Sequence, residues 1–271
     1  MSNKYALILG CSSGFGKATT LALAKEGYNI YGIHMDRGSA KQEAEEFQAE
    51  LESLGVKALF FNVNAASDDR RAEVIAEIDA HSKAVENHNL RVIVHSLAFG
   101  SLKSFINKDF DAMLTKKQIE MTMDVMANSL VYWVQDIFKA GLLADNSRIY
   151  GFSSIGGSRQ MKNYGAVSAA KAALESYIRQ LAVELAPYGT TANTIFAGLT
   201  NTPAASKIPG FSQMIKFGEQ QNPAKRLTTA EDVANAVCLL SDEKNTWITG
   251  DVIRVDGGDA IYEYFEYDST I

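Results

Sequence analysis

Short apolar, β-branched runs recur along the chain, and longer stretches with helical spacing lie between them. The runs at residues 5–9, 29–33, 58–62, 91–95, 148–152, 191–196 and 252–255 predict strands. The stretches at 17–26, 40–54, 69–85, 117–140, 165–186 and 230–240 predict helices. Several strand runs are apolar throughout instead of alternating with polar residues. Strands buried on both faces read this way, as in a parallel sheet covered by helices on each side. Strand–helix alternation implies crossover units. The fold predicted is therefore α/β: a single-domain Rossmann-type doubly wound parallel sheet over residues 1–271, with seven strand runs. One segment breaks the rhythm. Residues 198–226, after the sixth run, are rich in Gly, Pro, Ser and Gln. Loops that follow strand C-termini face the ligand crevice of such sheets, so 199–226 is read as a substrate-binding lid.

Composition narrows the class. A chain of 271 residues, 46% hydrophobic and 21% charged, can bury a sizeable core. A net charge of −6 weighs against nucleic acid as a partner. The longest apolar runs are too short to span a membrane, and the N-terminus does not read as a signal peptide. Two cysteines, Cys11 and Cys238, cannot build a disulfide framework or a zinc cluster alone, which fits a reducing, cytoplasmic setting. His34, His81, His88 and His95 fall at no metal-ligand spacing, so no metal is assigned. Met121, Met123 and Met126 read as packing or subunit-interface residues.

The first strand run leads directly into Gly10-Cys11-Ser12-Ser13-Gly14-Phe15-Gly16, and a helix opens there. Glycines allow a tight turn and close backbone approach, and a helix start offers free N–H groups to a pyrophosphate. Gly10, Ser12, Ser13, Gly14, Phe15 and Gly16 are accordingly candidate cofactor residues. At the end of the second run stand His34, Asp36 and Arg37. An acidic residue favours the ribose of NAD, whereas an arginine favours a 2′-phosphate. Counted from the glycine loop, the usual acidic position falls on His34. Arg37, with Lys17 nearby, then tilts the expectation toward NADPH, and NADH stays the alternative.

Tyr164 and Lys171 lie seven residues apart at the start of the predicted helix 165–186. Seven helical residues return to within about 20° of the same face, about 10 Å along the axis. Helical side chains lean toward the N-terminus, so Lys171 reaches back toward Tyr164. A cation there is expected to lower the phenol pKa and make Tyr164 a donor to an oxygen that gains charge.

Taken together, these motifs identify the chain as a member of the short-chain dehydrogenase/reductase family. The glycine loop, Ser154 at a strand end, Lys171, Asn193 with Ala197-Gly198, and Val255-Asp256-Gly257-Gly258 carry the resemblance. Most relatives have Tyr-x3-Lys, but here Val167 stands four before Lys171 and the spacing is Tyr-x6-Lys. That spacing, with His95-Ser96-Leu97-Ala98-Phe99, resembles the enoyl-acyl-carrier-protein reductases. The regular glycine loop and Ser154 resemble their NADPH-dependent enoyl reductase III variant. The usual catalytic Asn position falls on Met126.

The resemblance implies reduction of the carbon–carbon double bond of a trans-2-enoyl thioester in fatty acid synthesis. Tyr164 would stabilise the enolate oxygen, Lys171 would hold the nicotinamide ribose, and Ser154 would steady Tyr164 or the cofactor. Asn62, Val63, Ser96, Leu97, Leu199, Thr200 and Thr202 would complete the cofactor site. Phe99, Gly100, Ala204 and Ala205 would join Tyr164 around the substrate. The alternatives are a ketone or 3-oxoacyl thioester reductase and a non-catalytic nucleotide-binding regulator. Within 199–226, Lys207, Lys216, Lys225 and Arg226 oppose only Glu219, a local charge of +3. A basic rim of this kind would suit an acidic acyl carrier protein; its other reading is a solvated loop. The resemblance further implies a homotetramer, to which the aromatic-rich stretch 261–271 would contribute.

Overall fold

The protein is described from a computed structural model, which covers residues 3–263. Seven parallel strands form one sheet in the order 3-2-1-4-5-6-7. They are β1 (Asn3–Leu9), β2 (Asn29–His34), β3 (Ala58–Asn62), β4 (His88–His95), β5 (Leu143–Ser154), β6 (Thr191–Ala197) and β7 (Val252–Val255). The helices are α1 (Gly14–Lys25), α2 (Ser39–Ser53), α3 (Asp68–Ala84), α4 (Lys116–Met123), α5 (Ser129–Lys139), α6 (Gly165–Leu185), α7 (Phe211–Gln221) and α8 (Ala230–Leu240). The doubly wound sheet expected from the alternation is present.

Successive strand residues feed opposite cores, which is why the strand runs show no polar alternation. Leu7, Tyr31, Ile93 and Ile149 point into one layer, where Trp133, Ile137, Leu174 and Ile178 of α5 and α6 meet them. Their neighbours Ile8, Ile30, Val94 and Tyr150 point into the other, against Leu23, Phe47, Val233 and Val237 of α1, α2 and α8. Burying one such side chain contributes about 1.5–3 kcal/mol, so both faces resist polar substitution.

Three local features differ from expectation. The predicted helix 117–140 is interrupted: a π turn, Asp124–Asn128, separates α4 from α5. Thr122 and Ser129 each donate a side-chain hydrogen bond to the carbonyl four residues back, Gln118 and Val125. Back-bonding of this kind loosens and bends a helix. Strand β5 starts well before residue 148, because Leu143 already pairs with Leu90 across a register shift. The segment 199–226 carries α7, an 11-residue helix, where an irregular loop was expected. Among the described residues, no helix is long and apolar enough to cross a membrane. Within 261–271, residues 264–271 lie outside the described part of the chain.

Candidate active site

The site lies at the C-terminal ends of β1, β4, β5 and β6, where the strand order reverses between β1 and β4. The glycine loop is held here by close approaches. A Cβ on Gly16 would stand 1.8 Å from the carbonyl oxygen of Gly10, and one on Gly10 (φ +90°) would stand 2.9 Å from that of Ser96. A Cβ on Gly14 would lie 3.5 Å from Thr202 Cβ. The loops after β1, β4 and β6 thus converge.

Helix α1 starts at Gly14, inside this loop, with Ser13 as its N-cap. Ser13 makes no side-chain cap hydrogen bond, and the first turn holds no acidic residue. By contrast, Ser67, Thr115 and Thr229 cap α3, α4 and α8 with their side chains. The first N–H groups of α1 and its positive dipole end therefore face the crevice unspent. The Phe15 ring packs edge-on to Phe152 at 5.8 Å.

At the end of β2, Asp36 and Arg37 stand in different surroundings. Buried His34 hydrogen-bonds through Nδ1 to Asp36 Oδ2 at 2.8 Å. The Asn62 amide clasps the Asp36 backbone on both sides, accepting from its N–H at 3.0 Å and donating to its carbonyl at 2.9 Å. Val63 continues this anchor by donating its N–H to the His34 carbonyl. Arg37 is exposed and makes no ion pair among the described residues. Lys17 lies over the Phe47 ring at 4.7 Å.

Tyr164 is the N-cap residue of α6, just outside the helix. Its ring covers Gly156, where a Cβ would meet Tyr164 Cε1 at 2.6 Å. The Ser154 side chain acts on the phenol, against the effect of burial. Lys171 is buried, and its Nζ donates to the Phe152 carbonyl at 2.5 Å. The expectation of a lowered Tyr164 pKa is overturned. Burial pushes the phenol up, and the opposing effect comes from Ser154 rather than Lys171. Burial pushes Lys171 down to about 8, opposed by the charge of Glu175. Tyr164 is thus a neutral O–H donor at pH 7, not a phenolate.

Sequence reasoning gave no role to Ser153 or Glu175, although Ser153 Oγ donates to Glu175 Oε1 at 2.5 Å. The four-residue spacing of Lys171 and Glu175 was the available signal. His95 is fully buried with Nε2 on Ser129 Oγ at 2.9 Å, and burial with the nearby Lys171 charge holds it down to about 3.

On the substrate side, Phe99 is exposed and Gly100 is packed from behind: a Cβ on Gly100 would meet Val167, Thr122 and Met126 within 2.9 Å. Met126 is a core residue, as its packing reading predicted. Leu97 lies beside Gly10, and its Cδ2 would be 3.4 Å from a Cβ there. The Leu199 side chain packs on Gly218 of α7, with 2.6 Å to a Cβ built there. Its carbonyl accepts from the Thr228 N–H. Thr200 donates to the Gly198 carbonyl, and Thr202 Oγ1 accepts from the Ala205 N–H, starting the turn of Ala204 and Ala205. Arg226 is not a free rim cation, because Asp232 binds it through both carboxylate oxygens at 2.6 and 3.1 Å. Lys207 and Lys216 stay exposed.

Residues 10–259 match the family described as Enoyl-(Acyl carrier protein) reductase. The chain belongs to this family. It is an oxidoreductase of the short-chain dehydrogenase/reductase type. The chain is 30% identical over 221 residues to an enoyl-[acyl-carrier-protein] reductase [NADH] of Neisseria meningitidis, covering 82% of this chain and 80% of that one. A 3-oxoacyl-[acyl-carrier-protein] reductase of Staphylococcus epidermidis is 28% identical over 259 residues, 94% of this chain and 98% of its own. The crystal structure of the enoyl-[acyl-carrier-protein] reductase (NADH) of Aquifex aeolicus superposes with a TM-score of 0.83 at 25% identity, over 97% of this chain and 99% of that one. A nicotinamide nucleotide fits the residues present. The glycine loop folds tightly enough that side chains at Gly10 and Gly16 would collide with backbone, the α1 N–H groups are uncapped, and Lys171 spends one donor on Phe152.

Proposed function

We propose that this protein reduces the carbon–carbon double bond of trans-2-enoyl thioesters carried on an acyl carrier protein. The observation that carries this reading is the donor constellation. Tyr164 presents a neutral hydroxyl beside Ser154 at the end of β5, and buried Lys171 is fixed on the Phe152 carbonyl. When bound, a nicotinamide nucleotide would supply the hydride for the β-carbon, and the enolate so formed would take its proton at the α-carbon from solvent. Tyr164 donates its hydrogen bond to the thioester oxygen as that oxygen becomes an enolate. A donor aimed at charge that forms only in the transition state lowers the barrier, and one is worth about 3 kcal/mol. Lys171 would donate to the nicotinamide ribose and add positive field. Uncapped N–H groups of α1, with Gly10 to Gly16, Thr200 and Thr202, would hold the pyrophosphate.

For the cofactor we favour NADPH. Asp36 is engaged by His34 and Asn62, while Arg37 is exposed and suited to a 2′-phosphate. The relatives named for NADH supply the competing expectation. Carbonyl reduction is the second reading, supported by the Staphylococcus epidermidis relative. Buried Met126 at the usual relay position, and Val167 where most of the broader family has Tyr, speak against it. A cytoplasmic homotetramer completes the proposal, on resemblance. The test is oxidation of NADPH and of NADH with crotonyl and acetoacetyl thioesters in parallel. Turnover confined to crotonyl substrates supports the reading. Faster turnover of acetoacetyl substrates overturns it, and cofactor binding without any oxidation assigns a regulator.

A further inference from the structure

Two consecutive residues at the end of β5 are tied to two residues one turn apart on α6. The Phe152 carbonyl accepts from the Lys171 ammonium at 2.5 Å, and the Ser153 hydroxyl donates to Glu175 Oε1 at 2.5 Å. Gly157 closes this corner. A Cβ on it would lie 2.8 Å from Glu175 Oε1, 3.3 Å from Ser153 Oγ and 3.5 Å from Lys171 Cβ. The turn Ile155–Gly157, which carries the chain from Ser154 toward Tyr164, thus rests on all three side chains.

We infer that Glu175 is a positioning residue for Lys171: it keeps the buried ammonium charged and fixes the strand end that presents Ser154 to Tyr164. The inference rests on the function proposed above, in which Lys171 must donate as a cation. The other ionisable groups on packed elements do not substitute for Glu175. His95 on β4 is held neutral, and Tyr164 is a neutral phenol. Asp124 on the π turn interacts with Asp68 and Arg71. Asp136 on α5 pairs with Arg71 and Lys139, and Glu120 on α4 pairs with Lys116. A burial-depressed amine loses its proton near neutral pH unless an anion opposes the effect, and Glu175 is the anion that raises Lys171.

Glu175→Gln separates the two roles, because the amide keeps the volume and can still accept from Ser153 but carries no charge. NADPH and NADH affinities are measured by nucleotide fluorescence across the alkaline range for wild type, Glu175→Gln, Glu175→Asp and Ser153→Ala. Wild-type affinity should fall as pH rises through about 8, where Lys171 deprotonates. In Glu175→Gln that fall should move to lower pH by about one unit, with affinity below it retained. Glu175→Asp, which keeps the charge, should restore the wild-type limb. Ser153→Ala should lower kcat on an enoyl thioester with the limb unmoved. An unmoved limb in Glu175→Gln, or an equal shift in Glu175→Asp, overturns the inference while leaving the proposed reduction intact. A wild type that binds neither nucleotide overturns the functional reading itself, and the inference with it.

Discussion

Replacing Tyr164 by Phe removes one hydroxyl and little else. The ring packs over Gly156 and against the α6-side core, and Phe keeps those contacts, so the melting temperature should stay close to wild type. Cofactor affinity should also hold, because the hydroxyl is assigned to the substrate oxygen rather than the nucleotide. Turnover should not. The phenol sits in a half-buried position where burial raises its pKa, so it acts as a neutral donor across the working range. In such a site, one donor aimed at an oxyanion contributes about 3 kcal/mol, or about two orders of magnitude in kcat. Steady-state oxidation of the preferred nucleotide with crotonyl thioester reads kcat and KM, and fluorescence titration reads nucleotide binding. A fall in kcat of about 100-fold with unchanged nucleotide Kd is expected. Retention of more than half of wild-type kcat would refute the argument, because the only group removed is the one to which transition-state stabilisation is assigned. A Ser154→Ala variant should show a smaller loss, since Ser154 acts on the phenol.

Four other outcomes follow from the geometry. Gly16→Ala should abolish nucleotide binding, because its methyl would stand 1.8 Å from the Gly10 carbonyl oxygen and must open the loop; binding within a few-fold of wild type would contradict this. Arg37→Ala should weaken NADPH more than NADH, and equal losses would return Asp36 to consideration. With a carrier-linked substrate, kcat/KM should fall with salt, and Lys207→Glu with Lys216→Glu should mimic that fall; a small thioester that responds alike would exclude a docking surface. Stability should also decline in acid. His95 and His88 are held down to about 3 and about 4 by burial, so the unfolded chain, titrating near 6.5, takes up protons first. Their contribution is complete above about pH 6.5 and is lost as pH falls toward the folded values, with about 5 kcal/mol as the upper bound for His95. Urea midpoints that do not move between pH 7 and pH 4 would contradict it.

The strands and the glycine loop were legible in the sequence because burial on both faces and close backbone approach constrain residue type locally. Relations between elements were not. Spacing placed Tyr164 and Lys171 on one stripe, but burial and the crossing of β5 decide their chemistry, and they direct Lys171 to the Phe152 carbonyl. Arg226 looked like rim charge until its partner, Asp232 at the start of α8, came within 2.6 Å. Asp36 was ambiguous because its hydrogen bond to His34 depends on side-chain geometry at a strand end. The π turn left no compositional mark beyond Thr122 and Ser129, residues common in unbent helices as well.

Packing also accounts for the displaced tyrosine. Most members of the broader family are expected to carry their tyrosine four residues before the lysine, and that position here is Val167. Val167 and Met126 are both buried and close the space behind Gly100: a Cβ on Gly100 would meet Val167 Cγ2 at 2.7 Å and Met126 Sδ at 2.9 Å. A phenol at 167 would have to displace that floor. Tyr164 avoids the conflict by leaving the helix. As the N-cap residue it stands outside the α6 core stripe, with Ser154 for a partner and Gly156 beneath its ring. A Val167→Tyr substitution in a Tyr164→Phe background should therefore fail to restore carbonyl or enoyl reduction and should destabilise the fold, because overpacking a filled core costs about 1–3 kcal/mol. Recovery of activity in that double variant would show that the floor under Gly100 yields, and that the tyrosine's displacement has another cause.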